Sequence, residues 1–359
     1  MDLAALLTRL SETTGISGHE ATIRSVVLAE WGRFAAETRT DKMGNAIAIR
    51  HGKPLTRSER SRAAAAPRTI MLASHMDEIG LMVAGINRGF IRVTPIGGVD
   101  PRVLLAQEVI VHGRQALPGI IASTPPHLLK AGDRDKIILI DKLWIDVGLP
   151  ASQVERLVQV GDLVSIRRTV SELKGGLLTG KAFDNRASVA AVAACLEHLQ
   201  AHQHQWDVLA VATVQEETAL LGAATATFSL APDAAIAIDV TYGKQDGATN
   251  DETFVVGNGP TIGIGPNMHP KMTQGLLDAA KRIELDAHLE PMPGHSGTDA
   301  WVIQVARSGI PTGLVEIPLR SMHTPVETIS PKDVERAGRL LAEFITGLDE
   351  EFYQGLTNI

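Results

Sequence analysis

Apolar positions in this chain follow two rhythms. Leu3, Leu6, Leu7 and Leu10 recur at the spacing of an amphipathic helix, as do Ile23, Val26, Val27 and Trp31 in the next segment. Ser17-Gly18-His19-Glu20 has the S-x-x-E spacing of a capping box and predicts that this second helix runs to about Arg33. A turn over Asp41–Asn45 then leads into a strand, Ala46–Arg50. Ile70–Ala73 is a short unbroken apolar run, as expected of a strand buried on both faces of a sheet. Val208–Val214, Ala234–Ile238 and Ile310–Ile317 repeat that texture. Helical stretches fall between and after them, at Ala187–His198, at Thr298–Ala306 and from Ser330-Pro331 onward. In the last, Val334, Leu340, Leu341, Phe344 and Ile345 face inward. The alternation predicts an α/β fold with a mixed, largely parallel sheet flanked by helices.

Between Gly80 and Arg168 the rhythm changes. Leu81–Ile86, Phe90–Ile96, Glu108–His112, Gly119–Ala122, Leu143–Val147 and Leu163–Ile166 are short strand-like runs separated by Gly, Pro and Asp turns. One short helix is expected near Ala151–Val158. The pattern predicts a compact β module at 79–168, inserted into an α/β domain made of 1–78 and 169–359.

Composition narrows the partners. Forty-one acidic against 34 basic residues give a net charge of −7, which argues against nucleic acid. The basic segment 51–68 reads as a solvated connector. A single cysteine, Cys195, rules out an internal disulfide and a thiolate metal site, so any metal must be held by imidazoles and carboxylates. No apolar run of about eighteen residues is present, so no membrane span is expected. The acidic start M-D-L-A-A lacks a signal-peptide pattern, and a cytoplasmic protein is expected.

Several apolar strands stop at ionisable groups: His75, then Glu216 and Glu217, then Asp239. His323 lies just past a fourth strand, and Asp184 precedes a helix. In a parallel sheet these converge at the carboxyl edge, where α/β folds bind ligands. Carboxylates crowded together repel unless cations join them. Two divalent ions balance Asp184, Glu217, Asp239 and a bridging hydroxide, and two neutral imidazoles complete the ligand set. Such donors suit zinc, cobalt or manganese. Neighbouring strand residues point oppositely, so of Glu216 and Glu217 one ligates and the other serves as general base. Asp77, two residues past His75, is placed to fix the second ring nitrogen.

The motifs S-G-H-E (17–20), S-H-M-D-E-I-G (74–80), G-K-A-F-D-N-R (180–186), Q-E-E (215–217), A-I-D (237–239), S-G-T-D-A (296–300) and R-S-M-H-T-P-V-E (320–327) resemble one family in order along nearly the whole chain. That family is the TET-type, glutamyl aminopeptidase group of dinuclear metallo-aminopeptidases, metallopeptidase family forty-two. The resemblance implies His75, Asp184 and Asp239 on one metal, and Asp184, Glu217 and His323 on the other. It implies Glu216 as proton shuttle and Asp77 as the carboxylate orienting His75. It also implies a small β-barrel, PDZ-like shape for the inserted module, peptide substrates, and self-association through that module into dimers and a tetrahedral dodecamer.

Other readings compete. A different dinuclear amidohydrolase, such as an N-acyl amino acid deacylase, would use the same donors, whereas a glycoside hydrolase (endoglucanase) would need two carboxyls flanking a sugar bond and no metal. His198, His202 and His204 mimic ligand spacing but read as a solvated helix end. Glu78 reads as structural. Gly294-His295-Ser296-Gly297 lacks the spacing of a nucleophile elbow and reads as a pocket loop.

Overall fold

A computed structural model describes residues 1–53, 67–130, 132, 136–248 and 252–356. Most of the basic connector expected at 51–68 lies outside the described residues. Strands β1 (Glu37–Thr40) and β2 (Ala46–Arg50) form a hairpin. In its turn, one carboxylate oxygen of Asp41 accepts from the N–H groups of Met43, Gly44 and Asn45. Strand β3 (Thr69–His75) follows. The chain then builds β4 (Gly80–Asn87), β5 (Phe90–Ile96), β6 (Glu108–His112), β7 (Ala116–Ala122), β8 (Trp144–Asp146) and β9 (Leu163–Ile166). These close into a barrel in the order β4-β5-β8-β7-β6-β9, filled by Leu81, Val83, Ile91, Val109, Ile121, Ile145 and Val164. The expected β unit is therefore present, and its strands lie within a residue or two of the predicted runs, apart from an earlier start to β7.

Strands β10 (Ser171–Leu173) and β11 (Leu177–Gly180) return the chain to the α/β layer. There, β12 (Asp207–Thr213), β13 (Ala234–Tyr242), β14 (Thr261–Ile264), β15 (His288–Pro291) and β16 (Thr312–Leu319) join the large sheet. A last short strand, β17 (Glu327–Ile329), pairs with β11. The large sheet has the order β1-β2-β12-β3-β13-β16-β14-β15. Its four central strands, β12, β3, β13 and β16, are parallel, while β2 and β14 flank them antiparallel. The mixed, largely parallel expectation holds.

Period-two alternation divides the sheet's side chains between two apolar layers. Ile70 and Leu72 of β3 enter the larger cluster with helices Leu3–Glu12, Ala21–Trp31, Phe183–His198 and Pro331–Thr346. Met71 and Ala73 enter the smaller one, with Ala235 and Ala237 of β13, Leu314 of β16 and the helices Leu221–Leu230 and Ala300–Ile303. The helix Phe183–His198 is buried almost throughout, and Gly338 allows the final helix to lie against it. A Cβ at Gly338 would meet the Cβ of Ala194 at 2.6 Å.

Three expectations are corrected. Glu20 makes no capping box, because its carboxylate accepts instead from the N–H groups of Gly18 and Gln215, tying the helix entrance to the loop after β12. The helix expected over Thr298–Ala306 is confined to Ala300–Ile303. His204 is buried rather than solvated, its Nδ1 set 2.8 Å from the carbonyl oxygen of Trp206.

Candidate active site and metal centre

On the face of the sheet that carries the smaller apolar cluster, side-chain character switches at one level. Ala237 and Leu314 are register partners on β13 and β16, and so, two residues on, are Asp239 and Glu316. On β3 the corresponding step is from Ala73 to His75, and on β12 it is from Val211 to Thr213. The apolar floor becomes ionisable at the carboxyl end of the parallel strands.

Asp184 stands at the centre of this polar edge. It sits where the helix Phe183–His198 begins with a kink at Asp184 and Asn185, and the peptide between those two residues is cis. The Asn185 side chain donates to the carbonyl of Ile238 at 2.8 Å, pinning the kink to β13. Asp184 Oδ1 lies 3.1 Å from His75 Nε2, and Oδ2 lies 3.2 Å from His323 Nε2. One carboxylate thus spans two imidazoles. Asp239 Oδ1 is 3.9 Å and Glu216 Oε2 3.7 Å from His75 Nε2, while Glu217 Oε2 is 3.5 Å from His323 Nε2. The two adjacent glutamates face different histidines. Ligand atoms of His75, Glu216 and Asp239 cluster within 4.8 Å of one another, as do those of His75, Asp184 and Glu217.

Two further carboxylates brace the cluster. Asp77 accepts from the backbone N–H groups of Glu216 (3.1 Å) and Glu217 (3.2 Å), and its Oδ1 is 3.4 Å from His75 Nδ1. Glu327 accepts from the N–H of Asp184 at 3.1 Å and from the N–H of His323 at 3.0 Å, fixing the backbones of both residues to one buried group. His323 adopts a left-handed backbone conformation (φ 59°). Asp299 accepts from the Thr213 hydroxyl at 2.6 Å. Glu327 and Glu316 have no role in the sequence reading, whereas Ser296–Asp299 is expected near the substrate. Glu78 is structural, as expected: it is buried against Lys181, with Arg186 Nη2 3.4 Å away.

Burial raises the carboxyls here. It pushes Glu216 up to about 10, against the pull of His75 and with reinforcement from Asp239, Asp299 and Glu217. Burial likewise lifts Asp239 to about 8 and Glu327 to about 8, with Asp184 adding to both. Burial acts on Asp184 too, but hydrogen bonds from His323 and His75 outweigh it and hold that carboxyl below the usual range. A set of buried acids that cannot all ionise alone, made only of oxygen and imidazole donors, is chemically fitted to divalent cations. The residues present fit a divalent metal centre.

A cavity of about 900 Å³ opens onto these residues and continues past Thr241, Glu290 and Trp301. His295, Ser296, Gly297 and Thr298 line it, which makes the G-H-S-G segment a pocket loop as expected. The His295 and Trp301 rings stack with centroids 4.2 Å apart.

Residues 58–340 match the M42 glutamyl aminopeptidase family. The chain belongs to that family. It is an aminopeptidase of the M42 group, and the resemblance read from its motifs holds. The lysyl aminopeptidase of Pyrococcus furiosus is 35% identical over 344 residues, covering 93% of this chain and 94% of that protein. Among solved structures, aminopeptidase APDkam598 of the archaeon Desulfurococcus kamchatkensis is 33% identical with a TM-score of 0.89, over 99% of this chain and 98% of that one. The Pyrococcus horikoshii TET1 peptidase, described as assembling into a tetrahedron or a large octahedral shell, is 28% identical with a TM-score of 0.83. It covers 97% of this chain, and all of its own chain is covered. No helix among the described residues of this M42 peptidase is long and apolar enough to cross a membrane.

Proposed function

We propose that this M42 aminopeptidase releases N-terminal residues from peptides at a two-metal centre shared through Asp184. The position of the Asp184 carboxylate, with one oxygen toward His75 and the other toward His323, carries the reading. His75, Asp184 and Asp239 would hold one ion, and Asp184, Glu217 and His323 the other. Zinc suits this donor set, and cobalt or manganese is compatible with it. When bound, such ions polarise a carbonyl and acidify water.

The protein's own groups supply the rest. Glu216 is the general base: its carboxylate takes a proton from the attacking water and delivers it to the departing amine. Asp77 is a positioning residue that fixes the His75 ring and the backbone of both glutamates. The cavity walls keep the substrate's N-terminus against the acids, which neutralise its ammonium. Residues 1–78 and 169–359 are the catalytic unit, and 79–168 the dimerisation unit. Phe90, Ile120 and Val160 are exposed apolar side chains of that barrel segment and suit burial against a second copy. Assembly of dimers into a tetrahedral dodecamer, supported by the likeness to the TET1 peptidase, belongs to the same proposal. So does a cytoplasmic setting, in keeping with a lone buried Cys195.

The test is Glu216→Gln, assayed on aminoacyl-anilides with zinc, cobalt and manganese. Loss of the base lowers kcat about a hundredfold to ten-thousandfold while metal content stays at the wild-type level. Full kcat with both metals in place would remove Glu216 from the mechanism.

A further inference from the structure

Beyond the metal-facing acids, the same cavity holds a second carboxylate pair. Glu316 on β16 is the register partner of Asp239, one strand away and on the same face of the sheet. Glu290 on β15 lies beside it, close enough for its charge to act on Glu316. Both are buried and both line the cavity. The two oxygens of Glu290 are satisfied separately, by the hydroxyls of Thr241 and Thr261, each at 2.6 Å. Glu316 Oε2 is buried with no hydrogen-bond partner.

Charge sharpens the point. Two divalent ions are already balanced by Asp184, Glu217, Asp239 and a bridging hydroxide, leaving nothing for Glu290 and Glu316. Among the described residues, no lysine or arginine lines this cavity. A buried carboxyl oxygen without a cation or donor is costly, and a cationic guest would supply the partner that Glu316 Oε2 lacks. An apolar or acidic guest would leave Glu316 unpaired and make the deficit worse.

We propose that Glu316 and Glu290 form the floor of the pocket for the substrate's N-terminal side chain and select a basic residue, lysine or arginine. The inference rests on the two-metal reading, which sets where the scissile bond lies. Adjacent strands are about 4.8 Å apart, a step that the four-carbon stem of lysine spans from a main chain held beside Asp239. The ammonium then meets Glu316 Oε2 and Glu290, whose orientation the two threonine hydroxyls fix. The stacked His295 and Trp301 rings offer an apolar wall for the stem.

The test compares kcat/KM for lysyl-, arginyl-, leucyl- and glutamyl-anilides, using the full-length metal-loaded enzyme and its Glu316→Gln and Glu290→Gln variants. The wild type should favour the lysyl and arginyl substrates over leucyl and glutamyl by about tenfold or more. Either variant should shrink the lysyl-to-leucyl ratio by about tenfold, a change that a merely structural defect, acting on all substrates alike, does not produce. Ready turnover of the leucyl or glutamyl substrate without a basic preference in the wild type overturns the pocket assignment alone. No turnover of any anilide by the metal-loaded wild type overturns the two-metal reading and this inference with it.

Discussion

Asp77 holds three groups at once: the N–H of Glu216, the N–H of Glu217 and, at 3.4 Å, the Nδ1 edge of His75. An asparagine there turns one acceptor into a donor facing N–H groups. Asp77→Asn should therefore cost about tenfold to a hundredfold in metal affinity or kcat. Titration of the apoprotein with zinc, followed by calorimetry, measures the first, and an unchanged affinity together with unchanged kcat would contradict the bracing role. The proposed ligands were legible as residues because apolar runs lead up to them, which is how His75, Glu217 and Asp239 stood out. Glu316 was not, since it lies inside L-V-E-I-P, where the apolar run hides it. Its parity with Leu314 was the available signal: a lone acid on the buried face of a strand must have a partner. Glu327 lay within a recognised motif, yet its two backbone acceptor bonds depend on β17 pairing with β11, which local sequence does not announce.

The loop that follows β5 brings the barrel to the catalytic edge. A Cβ on Gly98 would sit 2.7 Å from His323 Nδ1, and Gly97 takes a left-handed conformation (φ 76°) beside Glu217. Gly98→Ala should therefore push the His323 ring out of place. The expected result is a drop of about tenfold or more in kcat/KM with an unaltered melting temperature; wild-type activity would show that the ring has room to move. At this scale the barrel strands were readable from β-branched runs between turns. By contrast, β14, β15 and the helix Pro270–Arg282 were not singled out: the two strands have only four residues each, too few to show a period. The failed capping box at Ser17–Glu20 has a similar origin, because a non-local donor, the Gln215 N–H, drew Glu20 away.

Across the whole molecule, the buried Glu78–Lys181–Arg186 group links the end of β3 to the helix Phe183–His198, and Arg186 also donates to the carbonyl oxygens of Leu10 and Met76. Burial tends to raise the Glu78 carboxyl, but Lys181 and Arg186 outweigh it and hold it below its ordinary value of 4.5. A carboxyl depressed in the folded state contributes stability above its unfolded pKa and loses it as pH falls through the folded one. Glu78→Gln should cost about 3 kcal/mol at neutral pH. In urea unfolding, the gap between wild type and variant should narrow steadily below about pH 4.5; a gap independent of pH would place the effect in packing instead. The α/β frame with an inserted β module was readable from rhythm alone, whereas closure of that module into a barrel was not. The convergence of these ionisable residues followed once the sheet was taken as parallel, which β12, β3, β13 and β16 are.

The central claim is that distant acids and imidazoles share a pair of cations through Asp184. Elemental analysis of the chain after dialysis against zinc tests it most directly, with Asp184→Asn run alongside. Two zinc ions per wild-type chain and a loss of bound zinc in the variant are expected. One ion or none in the wild type, or two retained by Asp184→Asn, would contradict it.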